Sequence, residues 1–378
     1  MARSIKGCGC AAAVLVVVLS AAGYVGLKYV LPWWKTKPPP ASGGELRVHV
    51  LDVGPVNGDS ILIVSPAGKT VLIDAGDAGK GKVILEALKR YNIQQLDYFV
   101  ATHPHPDHIG GADEVFKGIK VLNVIDNGER PDVPESLLPA KPQAKPPGKV
   151  KPKPTPRRAD RSSPVTKFYD EYKEALTQSG AQYEKSEVGK KYDLGGGARL
   201  MILAPSEPIF TREQMKTGGN VPNGNSIVMR LDYGDFSMLL PADAEEQTEH
   251  RLLTKDPDLK TKILKVAHHG SKYATAQDFL DRVKPEVAII SCGAWNRYGH
   301  PSQLVLDRFK NTNVKVYRTD LQGEITITTR GREYVVKTAK EATSDIWLGR
   351  MAQKDDSTRS GFIAYGDFGP PPKTKAGK

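Results

Sequence analysis

The residues of this chain best suited to chemistry lie in one hexapeptide, His103-Pro104-His105-Pro106-Asp107-His108. Three of the eight histidines in the chain occur there, with an aspartate between them. Imidazole and carboxylate groups are the usual protein ligands of zinc and similar divalent ions. Each proline restricts the residue before it to extended geometry, and alternation along an extended stretch sends His103, His105 and Asp107 to one side. The segment therefore predicts a metal site.

The hexapeptide follows an apolar run, residues 96–101, that is typical of a buried strand, and Gly110-Gly111 and a helix start come after it. A rigid sheet can aim ligands that lie on a tight loop at the end of a strand. Four further apolar runs are also followed by ionisable residues. Those residues are Asp74, Asp243, the pair His268 and His269, and His300. This repetition predicts one shared cleft.

Two histidines fall outside this pattern. His49 alternates with Arg47 on the predicted strand of residues 46–53, so we expect it on the solvent side of that strand. His250 follows two glutamates on a polar helix, and we expect it to play no part in the site.

The segment T-H-P-H-P-D-H-I-G-G resembles the H-x-H-x-D-H signature of the metallo-β-lactamase superfamily. The chain is most similar to one branch, the extracytoplasmic hydrolase domain of the competence DNA-uptake protein ComEC and its stand-alone relatives. Other motifs of that branch occur here in the family order. They are Leu51-Asp52-Val53-Gly54 with Gly58-Asp59-Ser60, residues 72–76, Asn225-Ser226, residues 231–236, residues 268–271, residues 297–301, and residues 317–320 before Gly323.

The resemblance implies an α/β (α+β) fold, a four-layer αββα sandwich with two packed mixed sheets, helices outside them and the ligands at the sheet edge. We expect this domain to span residues 45–338. A basic proline-rich insertion at residues 130–164 would interrupt it. That composition cannot bury enough apolar surface to order itself, so we expect the insertion to be disordered. Residues 339–378 would form a disordered tail.

The chain departs from the branch at two places near the expected site. Pro55-Val56-Asn57 stands where the branch usually has one glutamine, so this turn is longer. The superfamily also places a metal-binding histidine in a glycine-rich turn midway along the chain. The corresponding stretch, residues 218–226, has Asn220, Asn223 and Asn225 but no histidine. The first metal position is therefore expected to lack a nitrogen ligand.

Carried over by motif, the resemblance implies two metal positions that share Asp243. The ligands are His103, His105 and Asp243 for the first metal, and Asp107, His108, Asp243 and His269 for the second. We favour His269 over His268 because the superfamily commonly places this ligand just before the glycine. The cofactor would be one or two divalent ions. Zn²⁺ is favoured, and Mn²⁺ is an alternative because a position with fewer nitrogen ligands leans toward oxygen donors.

The same resemblance implies hydrolysis, since a bound cation makes water acidic enough to supply a nucleophile at neutral pH. The predicted catalytic residues are Asp107, His268 and His300. His268 would contact substrate, and His300 would donate to a phosphoryl oxygen or protonate the leaving group. Further residues expected beside the metals or the substrate are Asp52, Asp59, Asp74, Asn223, Asn225, Ser226, Ser271, Arg297 and Tyr298. Among these, Asp74 would orient a ligand histidine.

After a short N-terminal region of residues 1–10, residues 11–31 form an apolar stretch broken only by Lys28. Its length is about that needed to span a bilayer as a helix. A signal peptide cleaved near Ser20-Ala21-Ala22 is the rival interpretation. We favour an uncleaved membrane anchor, joined to the domain by a Pro/Gly linker over residues 32–44. The hydrolase domain would then be extracytoplasmic, or secreted if the segment is cleaved.

The net charge of +11 is distributed unevenly. Residues 130–167 hold ten Lys or Arg and three acids, whereas the part of the chain outside the insertion and the two ends has a net charge of −3. The insertion is expected to be a solvated spacer, or an arm that holds nucleic acid or another polyanion through phosphate contacts. Anionic lipid or wall polymers are further alternatives. The three cysteines predict no disulfide framework, and no pattern predicts a protein partner.

The predicted function is metal-dependent hydrolysis, with a phosphodiester, and nucleic acid in particular, as the favoured substrate. One alternative is an esterase or other hydrolase that acts on envelope polymers or a small metabolite. The other is a non-catalytic binding module that keeps a weakened metal site. The polytopic channel of the DNA-uptake machinery is not part of this sequence, so uptake itself is not expected of it. β-Lactam hydrolysis is not expected of this branch.

Overall fold

The computed structural model describes residues 42–131, 164–215, 220–296 and 298–350. Over these residues two mixed β-sheets pack face to face and helices cover both outer faces. The expected αββα sandwich is therefore present. The predicted N-terminal membrane segment, residues 11–31, lies outside the described residues. Within the described ranges, no helix has the length and apolar character that crossing a bilayer requires.

The first sheet contains eight strands. They are β1 Leu46–Val50, β2 Ile61–Val64, β3 Thr70–Ile73, β4 Gln95–Ala101, β5 Lys120–Asp126, β6 Gln182–Lys185, β14 Ile325–Thr329 and β15 Tyr334–Thr338. Their order across the sheet is β15-β14-β1-β2-β3-β4-β5-β6. The run from β3 to β6 is parallel and the other pairs are antiparallel. The carboxyl ends of the parallel strands therefore meet at one edge.

The second sheet contains seven strands. They are β7 Lys191–Gly195, β8 Ala198–Ala204, β9 Val228–Tyr233, β10 Phe236–Leu240, β11 Ile263–Lys265, β12 Val287–Ile290 and β13 Lys315–Arg318. Their order is β13-β12-β11-β10-β9-β8-β7. The run from β10 to β13 is parallel, so this sheet also has an edge at which carboxyl ends gather.

Helices cover the outer face of each sheet and short helical turns line the edge between them. The helices are α1 Gly81–Arg90, α2 Pro106–Ile109, α3 Ala112–Gly118, α4 Pro164–Ser179, α5 Val221–Gly224, α6 Glu246–Lys255, α7 Gln277–Val283, α8 Gln303–Asn311 and α9 Thr319–Gln322. Two 3₁₀ turns are Arg212–Gln214 and Ala267–Gly270. Apolar residues of α1, α3 and α4 pack on the first sheet, and those of α6, α7 and α8 pack on the second.

Side-chain alternation along the strands fills three apolar layers. Val48 and Val50 of β1 point inward, where they join Leu200 and Met229 of the opposite sheet. Leu62 points the other way, under the helices of the first sheet. Both faces of each sheet are covered. Successive side chains of a strand therefore point into two different buried layers, and neither set of side chains faces solvent.

The prediction that His49 faces solvent is wrong for this reason. The side chain is buried, and its ring packs on Tyr91 with 3.9 Å between the ring centroids. Its Nδ1 lies 3.1 Å from Thr326 Oγ1 and 3.3 Å from Glu324 Oε1. His49 is thus part of a buried polar group beneath the end of α1.

The folded chain continues past residue 338, where we expected the domain to end. The Arg318 guanidinium donates to the carbonyl oxygens of Ile346 and Leu348 at 2.8 and 2.7 Å. The Asp320 carboxylate, fully buried, accepts from both Arg318 and Arg350. The segment up to residue 350 is therefore held by hydrogen bonds to the buried Arg318 and by the ion pair of the partly exposed Arg350 with the buried Asp320. Residues 351–378 lie outside the described residues.

Candidate metal centre

Side chains that follow four parallel strands converge at the edge between the two sheets. Asp74 follows β3, His108 comes after β4, Asp243 after β10 and His269 after β11. Asp107, His108, Asp243 and His269 each present one ligand atom, and these four atoms all lie within 4.8 Å of one another. The structure thus brings together the four residues expected to hold the second metal.

Asp243 lies at the centre of this cluster and divides it into two halves. Its Oδ1 is 3.3 Å from His108 Nε2 and 3.7 Å from His269 Nε2. Its Oδ2 is 3.9 Å from His103 Nε2 and 3.7 Å from His268 Nε2. The carboxylate is 1% exposed. Each of the two oxygens of Asp243 therefore faces two imidazole nitrogens. In such an arrangement a carboxylate can bridge two ions.

The distances between the atoms that converge here suit coordination of a divalent cation better than direct hydrogen bonds between the side chains. Asp243 Oδ1, His108 Nε2 and His269 Nε2 are buried without a hydrogen-bond partner among the described residues. Two metal–ligand bonds of about 2.0–2.1 Å at a tetrahedral angle place their ligand atoms about 3.3 Å apart. The nitrogen–oxygen distances around Asp243 are close to that spacing and longer than ordinary hydrogen bonds. The donor set therefore suits a metal ion.

Thr102 and Asp74 fix two of the imidazole rings. Asp74 accepts from the Thr102 amide and hydroxyl at 2.8 and 2.7 Å, and from His108 Nδ1 at 2.7 Å. The Thr102 oxygen in turn accepts from His103 Nδ1 at 3.1 Å. With both Nδ1 atoms held by these contacts, the Nε2 atoms of His103 and His108 are directed toward Asp243. Sequence reasoning missed Thr102, although it directly precedes the hexapeptide.

His269 is held from behind by a buried ion pair. Its Nδ1 donates to the Ser291 carbonyl at 2.9 Å and lies 3.4 Å from Asp59 Oδ1. Asp59 Oδ2 is 2.8 Å from Lys265 Nζ, and both side chains are at most 2% exposed. Lys265 was not predicted. Its signal in the sequence is a lysine inside the apolar strand β11, because a buried charge needs a partner.

We predicted that the hexapeptide is extended throughout, and this prediction is wrong. His105 is extended, but the helical turn α2 begins at Pro106 in its first position. Asp107 and His108 are therefore aimed by a helical turn. Asp107 Oδ2 lies 3.5 Å from His269 Nε2, whereas His105 Nδ1 lies 3.0 Å from His103 Nε2. The turn sends Asp107 toward the second metal position and His105 toward the first.

The pair His268 and His269 occupies a strained turn. Both residues have positive φ, 47° and 54°, which non-glycine residues rarely adopt. Such strain persists only where surrounding contacts over-determine it, and it concentrates at functional sites. Here it lets two consecutive imidazoles present Nε2 to different oxygens of Asp243.

The cluster carries excess negative charge. Although burial works to lower it, the pKa of His269 is raised to about 10 by the carboxylates of Asp243 and Asp59. Burial likewise opposes the shift at His108, whose pKa is raised by Asp243 and Asp74. Burial would raise the pKa of Asp243, but the imidazoles of His108 and His269 hold it well below its usual range. Four carboxylates face one ammonium group, so the cluster attracts cations.

His300 lies beside the cluster and is oriented by Asn57. Its ring centroid is 5.2 Å from that of His268, and burial lowers its pKa to about 3, so the ring is neutral. Asn57 Oδ1 accepts from the Gly293 amide at 3.1 Å, which directs Asn57 Nδ2 toward His300 Nδ1 at 3.4 Å. Nδ1 is then an acceptor and Nε2 carries the proton. Asn57 belongs to the longer turn noted in the sequence, but its role was not predicted.

Other predicted residues have local structural contacts. Both ends of the buried Asn225 amide bind the backbone of Phe210, at 2.8 and 3.0 Å, so Asn225 fastens a loop. Its predicted place beside the metals or the substrate stays a prediction. The Ser271 hydroxyl accepts from the Tyr273 amide at 3.3 Å. Asp52 accepts from the Gly54 amide at 3.0 Å within its own turn.

The remaining predicted residues differ in position. Asn223 is 3% exposed and its Nδ2 lies 3.4 Å from His268 Nε2, so it does border the cluster. Ser226 is fully buried. Tyr298 is half exposed and its ring stacks on His300 with 5.7 Å between centroids. Arg297 lies outside the described residues.

Comparison with known proteins agrees with this architecture. The family model described as the metallo-beta-lactamase superfamily matches residues 53–173. ComE operon protein 3 of Bacillus subtilis is 27% identical over 304 residues, which are 76% of this chain and 33% of that protein. Recombination protein 2 of Haemophilus influenzae is 28% identical over 289 residues, 74% of this chain and 28% of that protein.

These matches support a ComEC-type member of the metallo-β-lactamase superfamily. This metallo-β-lactamase-fold chain spans about a third of the length of those curated relatives. Among solved structures it is similar to Igni18, a metallo hydrolase from Ignicoccus hospitalis, at 14% identity and a TM-score of 0.37. That match covers 78% of this chain and 98% of the other.

Proposed function

We propose that this ComEC-type protein hydrolyses phosphodiester bonds, with nucleic acid as the substrate class, using two divalent cations that share Asp243. The observation that carries the proposal is the division of the cluster by Asp243, each of whose oxygens faces two imidazole nitrogens. Paired metal ions bridged in this way are the usual apparatus of phosphatases and nucleases, where they stabilise the attacking and leaving oxygens of a displacement.

The residues of the chain have distinct roles in this proposal. His108, His269 and Asp107 would hold one ion, and His103 and His105 would hold the other. The ions supply Lewis acidity and a nucleophile derived from water at neutral pH. Nitrogen-rich donors favour Zn²⁺, and Mn²⁺ is the competing ion to be tested.

His300 would act on the phosphoryl group as a neutral hydrogen-bond donor. Asn57 fixes its tautomer with the proton on Nε2, and burial keeps it uncharged. A preorganised donor of this kind stabilises charge that develops on oxygen during the reaction. This refines the predicted role of His300, because a neutral imidazole donates a hydrogen bond more readily than it delivers a proton.

The proposed substrate class draws on the relatives and on the basic insertion. The curated relatives are named for competence and for recombination. Asn127, at the end of β5, donates to the Asn225 carbonyl at 2.9 Å, and Asn225 lies two residues from Asn223 at the cluster. This contact joins the chain just before the insertion to the turn that contains Asn223, and residues 132–163 of the insertion lie outside the described residues. We include phosphate contacts by its basic residues in the proposal.

Attachment to a membrane through residues 11–31, with the domain on the extracytoplasmic side, is a separate part of the proposal. It is supported by the apolar character of that segment alone. Carbonate extraction of membranes from cells that express the full chain, followed by protease accessibility, tests it. We expect the chain in the membrane pellet and accessible from outside. A chain that is released by carbonate would contradict it.

The activity is tested with a panel of bis-p-nitrophenyl phosphate, single-stranded DNA, double-stranded DNA, a p-nitrophenyl carboxylate ester and nitrocefin. We expect turnover of the phosphodiesters that EDTA abolishes and that Zn²⁺ or Mn²⁺ restores. His108→Ala should abolish it with the fold retained, and His250→Ala, an exposed histidine on α6, is the matched control. Hydrolysis of the carboxylate ester alone would place the protein in another substrate class. Metal binding without any turnover would make it a binding module.

A further inference from the structure

Glu245 and His268 form a pair at the metal cluster that the proposed ligand set does not use; Glu245 is buried, and the His268 side chain is 18% exposed. His268 Nε2 lies 3.7 Å from Asp243 Oδ2, and His268 Nδ1 lies 3.6 Å from Glu245 Oε1. Glu245 is 1% exposed and is held in place by the Asn220 amide and by Asn223 Nδ2, each at 3.1 Å. One ring nitrogen of His268 thus faces a fixed carboxylate while the other faces the shared carboxylate of the cluster.

The same order of groups occurs at both histidines expected to bind the second metal. Behind His108 Nδ1 stands Asp74 at 2.7 Å, and behind His269 Nδ1 stand the Ser291 carbonyl and Asp59. In each case Nε2 faces Asp243 Oδ1. A carboxylate or carbonyl behind one nitrogen of an imidazole is the usual support of a metal-ligating histidine, because it fixes the tautomer and the ring orientation.

The backbone also commits His268 to this position. Its amide donates to the Ala242 carbonyl at 2.9 Å, directly beside Asp243 in the chain. Its φ of 47° is one that non-glycine residues rarely adopt, and such a conformation persists where the surrounding contacts hold it. Asn223 Nδ2, which donates to Glu245, lies 3.5 Å from His268 Nδ1 and 3.4 Å from His268 Nε2, so the asparagine turn borders the ring of His268.

The first metal position needs a further nitrogen. His103 faces Asp243 Oδ2 at 3.9 Å and His105 Nδ1 lies 3.0 Å from His103 Nε2, but the mid-chain turn has Asn223 in place of a histidine. His268 faces the same oxygen, Oδ2, and is therefore on the side of the cluster where that nitrogen is missing.

We propose that His268 is the third nitrogen ligand of the first metal position and that Glu245 is the residue that orients it. His268 is then a structural part of the metal centre and not the substrate contact expected from the sequence. The inference rests on the proposed metal site, but it concerns metal binding and is independent of which bond the protein hydrolyses.

Metal binding to the full-length chain tests the proposal by two methods, metal content after gel filtration and isothermal titration of the metal-free protein with Zn²⁺ and Mn²⁺. His268→Phe keeps the size of the ring and removes its nitrogens, and His300→Phe is the matched control at a neighbouring ring. Co²⁺ titration followed by visible absorption reports the coordination of each ion separately. Circular dichroism shows that the variants are folded.

We expect two equivalents for the wild type and for His300→Phe, and one equivalent for His268→Phe. Glu245→Gln should keep both equivalents but weaken the second by about 10–100-fold. Two equivalents of unchanged affinity in His268→Phe would overturn the proposal, as would loss of one equivalent in His300→Phe alone or a wild type that binds a single ion. If His268→Phe does not fold, unchanged affinities in Glu245→Gln overturn it. The number of metal equivalents bound does not depend on turnover. A protein that binds two equivalents but is inactive would therefore refute only the proposed function.

Discussion

Replacing Asp74 by asparagine removes a charge behind a ligand histidine with almost no change in shape. Asparagine tolerates the left-handed φ of 60° at this position. The wild-type carboxylate accepts three hydrogen bonds, from the amide and hydroxyl of Thr102 and from His108 Nδ1. An amide offers one oxygen and one NH₂ group, so at least one of the three buried donors loses its acceptor.

The size of the effect follows from these contacts. A hydrogen bond to a charged group contributes about 1.5–3 kcal/mol and a neutral one about 0.5–1.5 kcal/mol. The loss at His108 is then about 1–2 kcal/mol, which corresponds to about 5–30-fold weaker binding of the ion that His108 holds. An unpaired buried donor costs a further 1–3 kcal/mol of stability, or several degrees in Tm.

Titration with Zn²⁺ or Mn²⁺ and thermal unfolding of the metal-free protein measure the two effects of Asp74→Asn separately. Asp52→Asn is the matched control, because Asp52 accepts one amide within its own turn. We expect the control to bind both ions as the wild type does. Wild-type affinity for both ions in Asp74→Asn would refute the idea that Asp74 orients His108.

Three other predictions concern different parts of the molecule. His300→Ala should keep its metal content and Tm but lose about 10²–10³-fold in kcat, measured on bis-p-nitrophenyl phosphate, because one preorganised donor is removed. Deleting residues 132–162 should leave that turnover intact while it weakens DNA binding and flattens its dependence on salt, measured by fluorescence anisotropy. Lys265→Met leaves the buried Asp59 carboxylate without its ammonium partner and should cost about 3–5 kcal/mol in the free energy of unfolding by urea.

Each of these predictions has a result that contradicts it. Loss of an ion in His300→Ala would make His300 a ligand, and unchanged DNA affinity at low salt would reduce the insertion to a spacer. A double variant, Lys265→Met with Asp59→Asn, should recover part of the lost stability. If it is as unstable as the single variant, the ion pair is not the cause.

A pH dependence is expected from Glu249, which is buried on α6 and accepts the amides of Thr275 and Ala276. Burial raises the pKa of this carboxyl from 4.5 to about 8. The unfolded chain therefore binds fewer protons than the folded one between these values, and the stability contributed by Glu249 is fully present below pH 4.5 and falls as pH rises toward 8. The stability of the wild type relative to Glu249→Gln, measured by urea unfolding, should decline from pH 5 to pH 8. A difference that grows over this range would contradict the shift.

The resemblance of the sequence motifs to the metallo-β-lactamase superfamily implied the layers of the fold, and the pattern of the residues located the site. Apolar runs mark the central strands, which are three to seven residues long, and ionisable residues after them lie where parallel strands end. This is why the sequence alone predicted that Asp74, Asp243 and His269 lie at one edge. Their side-chain types then implied a metal.

The tertiary structure decided which elements from distant parts of the chain pack against each side chain. Alternation could place His49 on the far face of β1 but not show that α1 covers that face. Alternation along an extended stretch predicted that Asp107 lies on the same side as His103 and His105, whereas in the structure Pro106 begins a helical turn that redirects Asp107. The C-terminal segment looked polar, yet its carbonyl oxygens are acceptors for the buried Arg318.

The partners of the cluster were also beyond the sequence, because they are far apart along the chain. Lys265 reaches Asp59, and Asn57 reaches His300, across about two hundred residues or more. The strained turn at His268 has no sequence signature, since positive φ at a histidine is imposed by the contacts around it. Local patterns fix which residues stand at a strand end, but only the packing of two sheets against each other fixes which oxygen each nitrogen faces.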